Sequence, residues 1–207
     1  TASLSLRLAM IAPQLKAATI GWQHNCYDGY LHVKPVVFWQ QENLLQQYLP
    51  NLDRYIVLSD YDKRDYMEKL GIDCEVKINP RSFVSEKKCD VKSKRFLMAT
   101  RFVYAKGLDL MMESFEEFCK EDSEWELDII GDGDLFDQIR ADAKKRHLEK
   151  RVHFVGYTNE PEKYYLNSSV FLLPSRWEGW PMVIMEAFEF GLPVIAIPYR
   201  SDGSDHR

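Results

Sequence analysis

The sequence predicts an α/β fold with a parallel sheet over its second half. Short apolar runs alternate with helical segments from Phe96 onward, and the runs end in glycine, proline or polar turn residues. Before them, residues 82–94 are polar and charged and carry neither a helical nor a strand period. Strands alternating with helices at this spacing form βαβ units, with parallel pairing and right-handed crossovers.

The 207 residues suffice for one large domain or two small ones, each with a core. With 45% hydrophobic and 29% charged residues, the composition is that of an ordinary globular protein. The net charge of −5 argues against a nucleic-acid partner, and the acidic excess lies in residues 94–207. A phosphate ligand there would be held by backbone amides and one or two chosen cations, not by a broad basic surface. Cys26, Cys74, Cys89 and Cys119 are far apart and form no CxxC or CxxH pair, so neither a zinc site nor a disulfide framework is expected and a reducing, cytoplasmic compartment fits. No apolar run reaches the length of a membrane span.

Residues 3–12 read as a helix or a buried apolar segment, which periodicity alone does not separate. Ala17–Trp22 reads as a short buried strand ending in Gln23-His24-Asn25. Pro35–Tyr48 carries helical spacing, and Tyr55–Leu58 reads as a strand. Ser59 or Asp60 then caps a helix through Lys69 that Gly71 stops. Cys74–Ile78 is another short strand. Asn79-Pro80-Arg81 breaks the pattern, so residues 1–80 are read as one domain, 81–94 as a linker and 95–207 as a second domain.

In the second domain, strands are expected at Phe96–Arg101, Glu126–Ile130, Val152–Val155, Ser169–Leu173 and Pro193–Ile197. Helices are expected at Leu108–Lys120, Leu135–His147, Pro161–Leu166 and from Glu178 to Phe190. Ligands of parallel sheets bind outside the carboxyl ends of the strands. Those ends carry Arg101, Gly131-Asp132-Gly133, Gly156-Tyr157, Pro174-Ser175 with Glu178, and Pro198-Tyr199.

The richest stretch is Pro174-Ser-Arg-Trp-Glu-Gly-Trp-Pro-Met-Val-Ile-Met-Glu186. It sets Glu178 on a turn at a helix start and Glu186 two turns along. Helix-start amides attract phosphate, and carboxylates accept hydrogen bonds from sugar hydroxyls, so a nucleotide-sugar site is expected. Arg101 and Lys106 straddle a strand-to-helix loop ending in Gly107, where two cations can clamp a diphosphate. Both would otherwise be solvated loop charges. Gly131-Asp-Gly-Asp-Leu-Phe136 fails the GxGxxG fingerprint because Phe136 stands at the third glycine, so it is read as a tight turn. Glu186 and Glu189 also fit plain helix-face residues, Trp177 and Trp180 fit either pocket walls or packing, and His24 is open between a structural and a catalytic role.

The words Arg101…Lys106-Gly107, Asp128-Ile-Ile-Gly-Asp-Gly133, Val152-His-Phe-Val-Gly156, Pro174-Ser-Arg-Trp-Glu-Gly179 and Glu186-Ala187…Gly191-Leu-Pro-Val194 occur together in this order. In this combination Arg95–Ile197 resembles the C-terminal, donor-binding domain of retaining GT-B glycosyltransferases of family 4, the group 1 transferases. Glu178 and Glu186 match that family's E-x7-E motif. Ile20–Asn25 through Ile78–Pro80 resembles the second half of the same enzymes' N-terminal domain. The nearer likeness is to bacterial enzymes of lipopolysaccharide and capsule synthesis, among them galactosyltransferases.

The resemblance implies a GT-B fold of two Rossmann-like domains, the first partial. It implies transfer of a hexose from a nucleoside-diphosphate sugar, a UDP-sugar and more narrowly UDP-galactose, to a glycan or lipid-linked saccharide with retention of configuration. Arg101 and Lys106 would neutralise the diphosphate, Glu186 would hold the ribose, and Glu178 would lie beside the transferred sugar. The amides of Gly179 and Trp180 would hold hydroxyls or phosphate, His24 would reach the donor sugar, and Gly131, Gly133, Gly156 and Tyr157 would line the donor site. No metal or other cofactor is expected. A cytoplasmic location is implied, at the inner face of a bacterial membrane where the full-length protein makes peripheral contact. Family members are longer at both ends, so this chain is expected to be an internal fragment with little or no transferase activity alone. A GT-B-fold UDP-sugar epimerase and a non-catalytic nucleotide- or partner-binding module are the competing readings.

Overall fold

The computed structural model describes residues 2–31 and 41–197, which fall into two units. The first holds the described residues up to Pro80 together with Trp177–Trp180, and the second holds Arg81–Arg176 with residues 181–197.

The first unit opens with helix α1 (Ala2–Ile11), which settles the ambiguity of the apolar segment. Leu6 and Ala9 face the core while Leu4, Met10 and Ile11 stay exposed. Strand β1 (Ile20–Trp22) follows, then helices α2 (Tyr27–Leu31) and α3 (Glu42–Tyr48) and strand β2 (Arg54–Val57). Helix α4 (Asp60–Leu70) leads to strand β3 (Glu75–Val76). The strands form a parallel sheet in the order β1-β2-β3. β1 corrects one expectation: it is not a buried strand. Successive side chains point to opposite faces, so Gly21 is buried against Leu52 and Tyr55 while Ile20 and Trp22 lie on a face left open by the described residues. The part of Pro35–Tyr48 before residue 41 lies outside the described residues.

α4 starts and stops as its sequence dictates. Ser59 Oγ accepts from the Asp62 amide at 3.1 Å and donates to Asp62 Oδ2 at 2.6 Å. Gly71 ends the helix in the left-handed region at φ 69°. The buried Asp62 also accepts from the Tyr27 amide at 2.9 Å, so the Asp60-Tyr-Asp62 stretch serves the helix start.

The second unit begins with residues 81–94, which form no helix or strand but are hydrogen-bonded along their own unit. The Cys89 amide donates to the Phe190 carbonyl at 2.8 Å, and the Asp90 amide to the Leu166 carbonyl at 2.9 Å. Strand β4 (Arg95–Ala99), helix α5 (Leu108–Glu121), strand β5 (Glu126–Ile130) and helix α6 (Phe136–Lys145) follow. Strand β6 (Val152–Gly156), helix α7 (Glu162–Leu166), strand β7 (Val170–Leu173), helix α8 (Met182–Glu189) and strand β8 (Val194–Ala196) complete it. All pairings are parallel, in the order β6-β5-β4-β7-β8.

Alternation along the strands feeds both faces of this sheet. Phe96, Met98, Leu127, Ile129 and Leu172 pack against Met112 and Phe115 of α5 and Ile139 of α6. Leu97, Ala99, Ile130, Phe171 and Leu173 pack against Tyr165 of α7 and Ala187 of α8. The unit is therefore three-layered. The strand order reverses at β4, whose neighbours are β5 on one side and β7 on the other. Such a switch point opens a crevice at the carboxyl ends of the two strands that part there.

Candidate functional site

Three loops meet at the carboxyl edge of the second sheet, and glycines let them touch. Gly131 follows β5 with φ 126°, and a Cβ on it would lie 1.8 Å from the Thr100 carbonyl oxygen at the end of β4. Gly133 has φ 151°, and its Cβ would meet the Phe102 backbone at 2.8 Å. No side chain fits either place. The Phe102 amide donates to the Asp132 carbonyl at 2.9 Å, and the Gly131 amide to the Gly156 carbonyl at 2.8 Å. The Gly131–Gly133 turn thus locks the ends of β4, β5 and β6 together and brings Arg101, Gly131, Gly133 and Gly156 to one edge. Arg101 is exposed there, and Tyr157 beside Gly156 is 78% exposed.

The loop after β4 holds a 3-10 turn, Tyr104–Lys106, and then Gly107 in the left-handed region at φ 64°. Lys106 is half-buried. A Cβ on Gly107 would lie 2.0 Å from the Pro174 carbonyl oxygen, so this loop rests directly on the end of β7.

Arg176, a residue to which the sequence reading gave no role, fastens that contact. It is 9% exposed. Its amide donates to the Ala105 carbonyl at 2.8 Å, and its Nη1 to the Tyr104 carbonyl at 2.9 Å. Nη1 and Nη2 reach the two oxygens of Asp109, in the first turn of α5, at 2.8 and 2.6 Å. The guanidinium lies 4.0 Å from the Tyr104 ring centroid. Arg176 hydrogen bonds hold the Asp109 carboxyl below the usual carboxylate range. Arg176 lies inside the word Pro174–Glu186, but its burial follows from a partner in another helix.

Glu186 lies inside α8. Its Oε2 accepts from the hydroxyl of Tyr165, a fully buried residue of α7, at 2.8 Å. Burial pushes the Tyr165 phenol well up, so it stays a donor at any ordinary pH. Both residues line a groove of about 770 Å³ whose other walls include Phe83, Ser85, Asn159 and Lys163. Tyr165 is a second residue that sequence reasoning missed; a tyrosine in a short helix carries no signal of what its hydroxyl meets. Glu189, read as a plain helix-face residue, does more. It accepts from Arg81 at 2.9 Å and from the Ser85 amide at 3.4 Å, which ties residues 81–85 to the end of α8.

The remaining site candidates lie together in the first unit. His24 is exposed, and its ring stacks on Trp22 with centroids 5.3 Å apart. Partial desolvation holds its imidazole below the usual histidine range. The turn Trp177–Trp180 packs on the segment that follows β1. A Cβ on Gly179 would lie 2.6 Å from Asn25 Cα and 2.7 Å from the His24 carbonyl oxygen. One on Gly29 would lie 2.6 Å from Cδ1 of Trp177. Glu178 is half-buried, and the indole nitrogen of Trp180 is buried with no hydrogen-bond partner among the described residues. Pro198-Tyr199 lies outside the described residues. Among those described, no group of three or more His, Cys, Asp or Glu side chains could hold a metal ion, and no helix is long and apolar enough to cross a membrane.

This arrangement can be set beside known proteins. The family described as "Glycosyl transferases group 1" matches residues 82–202. An uncharacterized glycosyltransferase of Haemophilus influenzae is 31% identical over 146 residues, which cover 70% of this chain and 41% of that protein. The lipopolysaccharide 1,6-galactosyltransferase of Salmonella typhimurium is 31% identical over 114 residues, 53% of this chain and 32% of that enzyme. The chain thus spans less than half the length of these two relatives. Among solved structures, a mutant of Staphylococcus aureus TarM, in complex with fondaparinux, alpha-GlcNAc-glycerol and UDP, superposes with TM-score 0.79 at 22% identity, covering 89% of this chain and 37% of that one. The apo form of the lipopolysaccharide outer core galactosyltransferase WaaB gives 0.64 at 23% identity, covering 95% and 54%. The fold shared with these structures is GT-B.

Proposed function

The chain belongs to the group 1 glycosyl transferases, and from that premise we propose that its protein transfers a hexose from a UDP-sugar to a glycan or lipid-linked saccharide with retention of configuration. The observation that carries this reading is the switch point between β4 and β7. There Arg101 and Lys106 stand on the loop after β4, and Gly131 and Gly133 bring backbone to the same edge. A departing nucleoside diphosphate gains negative charge as the glycosidic bond breaks. Fixed cations and amides at that place stabilise the transition state more than the ground state. Arg101 and Lys106 are the cations proposed for this work, so nucleotide binding is expected to survive a chelator.

Glu186 is proposed to accept hydrogen bonds from the ribose. Tyr165 occupies one of its oxygens and fixes the orientation of the other. At the sugar end, the roles fall to Glu178, to His24 and to the amides of Gly179 and Trp180. The 1,6-galactosyltransferase among the relatives supports UDP-galactose as the narrower proposal for the donor.

Isothermal calorimetry of the chain with UDP, GDP and ADP tests the nucleotide half of this reading. Binding to UDP that Arg101→Ala or Glu186→Gln weakens is the expected result. Failure to bind any of the three would overturn it. Binding is the measurement of choice because the chain spans 41% of the Haemophilus relative. A GT-B-fold epimerase would instead convert a UDP-sugar with no acceptor present, which proton NMR of the sugar detects.

A further inference from the structure

We infer that Arg176 is a positioning residue that sets where Lys106 stands, and so determines how strongly the site holds a diphosphate; this rests on the function proposed above. Lys106 ends a turn whose backbone is gripped on both sides by the end of β7. Before it, the carbonyls of Tyr104 and Ala105 accept from the Arg176 side chain and amide at 2.9 and 2.8 Å. After it, Gly107 touches the Pro174 carbonyl, and Asp109 takes a two-pronged pair from the same guanidinium at 2.8 and 2.6 Å. One side chain therefore spans the turn that carries Lys106.

A second possibility is that Arg176 is itself a phosphate ligand. The geometry argues against it. Nη1 already serves two acceptors and Nη2 a third, the head group stacks on Tyr104, and Asp109 neutralises its charge. A third possibility is a staple for the fold alone. An ion pair with one partner open to solvent is a weak staple, because water screens it. What a planar bidentate pair supplies is direction, which lysine does not reproduce. Asp109 is the more exposed partner, its side chain 54% accessible, so it can be altered with little loss of core.

The test compares UDP with uridine by calorimetry on the 207-residue chain. The difference between the two affinities reports the diphosphate contacts alone. Wild type should prefer UDP, and Lys106→Ala should remove most of that preference. Asp109→Asn and Arg176→Lys should each weaken UDP about tenfold, the scale of one charge-assisted contact, and leave uridine unchanged. Asp109→Asn added to Lys106→Ala should cost nothing more, because both act through one amine. Thermal unfolding confirms that each variant is folded. UDP and uridine weakened alike, no effect of Asp109→Asn, or effects that add to those of Lys106→Ala would each overturn the positioning role alone. Wild type with no preference for UDP over uridine would overturn the proposed function and this inference with it.

Discussion

The hydroxyl of Tyr165 donates to Glu186 Oε2 at 2.8 Å, joining the buried face of α7 to the carboxylate proposed to hold the ribose. Tyr165→Phe removes only the oxygen and keeps the ring that stacks on Phe171 and Phe190. Loss of one hydrogen bond to a charged group is worth about 1.5–3 kcal/mol at most. We expect a folded protein whose affinity for UDP falls about five- to twentyfold, read by calorimetry. Glu186→Gln should lose at least as much, since it removes the negative charge and replaces one of the two accepting oxygens with an NH2 donor.

Glycines divide by what surrounds them. Gly71 has φ 69° and nothing within 4 Å of where its Cβ would be, so Gly71→Ala should cost about 1–2 kcal/mol, the strain of the left-handed backbone. Gly131→Ala adds a carbon 1.8 Å from the Thr100 oxygen, so backbone must move. We expect a loss of about 3–5 kcal/mol in urea unfolding, and loss of UDP binding with it.

Alkali should unfold this protein through its buried thiols and phenols. Burial pushes the thiols of Cys26 and Cys74 and the phenol of Tyr27 up to about 12, and drives the phenols of Tyr55, Tyr66 and Tyr165 well above their ordinary value. These groups release protons more readily in the unfolded chain. Their contribution is therefore complete below the unfolded values, about 8.5 for thiols and 10 for phenols, and is lost as pH rises through the folded ones. Urea midpoints should hold between about pH 6 and 8 and fall steeply beyond about pH 9–10. Iodoacetamide at about pH 8 should spare Cys26 and Cys74 in the folded protein.

Glu189 anchors residues 81–88 to the end of α8 through Arg81, the Ser85 amide and, by its own carbonyl, Lys88. The ion pair is largely exposed on the arginine side, so Glu189→Ala should leave global stability nearly unchanged. Hydrogen exchange should nonetheless speed up over residues 81–88, because the Ser85 amide loses its acceptor when the carboxylate goes.

Much of the second unit could be read directly from its sequence. Glu126–Ile130 reads as a strand because its apolar run is bounded on both sides, and it is one. The turn at Gly131 and Gly133 was legible because Phe136 rules out the dinucleotide fingerprint. What escaped is what depends on distant partners. Arg176 gains its role from Asp109 and Tyr104, and Tyr165 from Glu186; no local period announces such pairs. β1 misled for the same reason, since its composition suits burial but Ile20 and Trp22 share a face that no described element covers.

The adjacency of β4 and β7 also sets an order of assembly. Phe96 pairs with Leu127 across β4 and β5, but with Val170 across β4 and β7, closing a loop more than twice as long. Each doubling of loop length costs about 0.6 kcal/mol of chain entropy, so the β4–β5–β6 half is expected to nucleate first. Until β7 docks, Pro174 and Arg176 are absent from the loop that carries Lys106. The crevice and the completed sheet then arise in one folding event, so a nucleotide bound in the crevice holds β7 in place and slows its undocking.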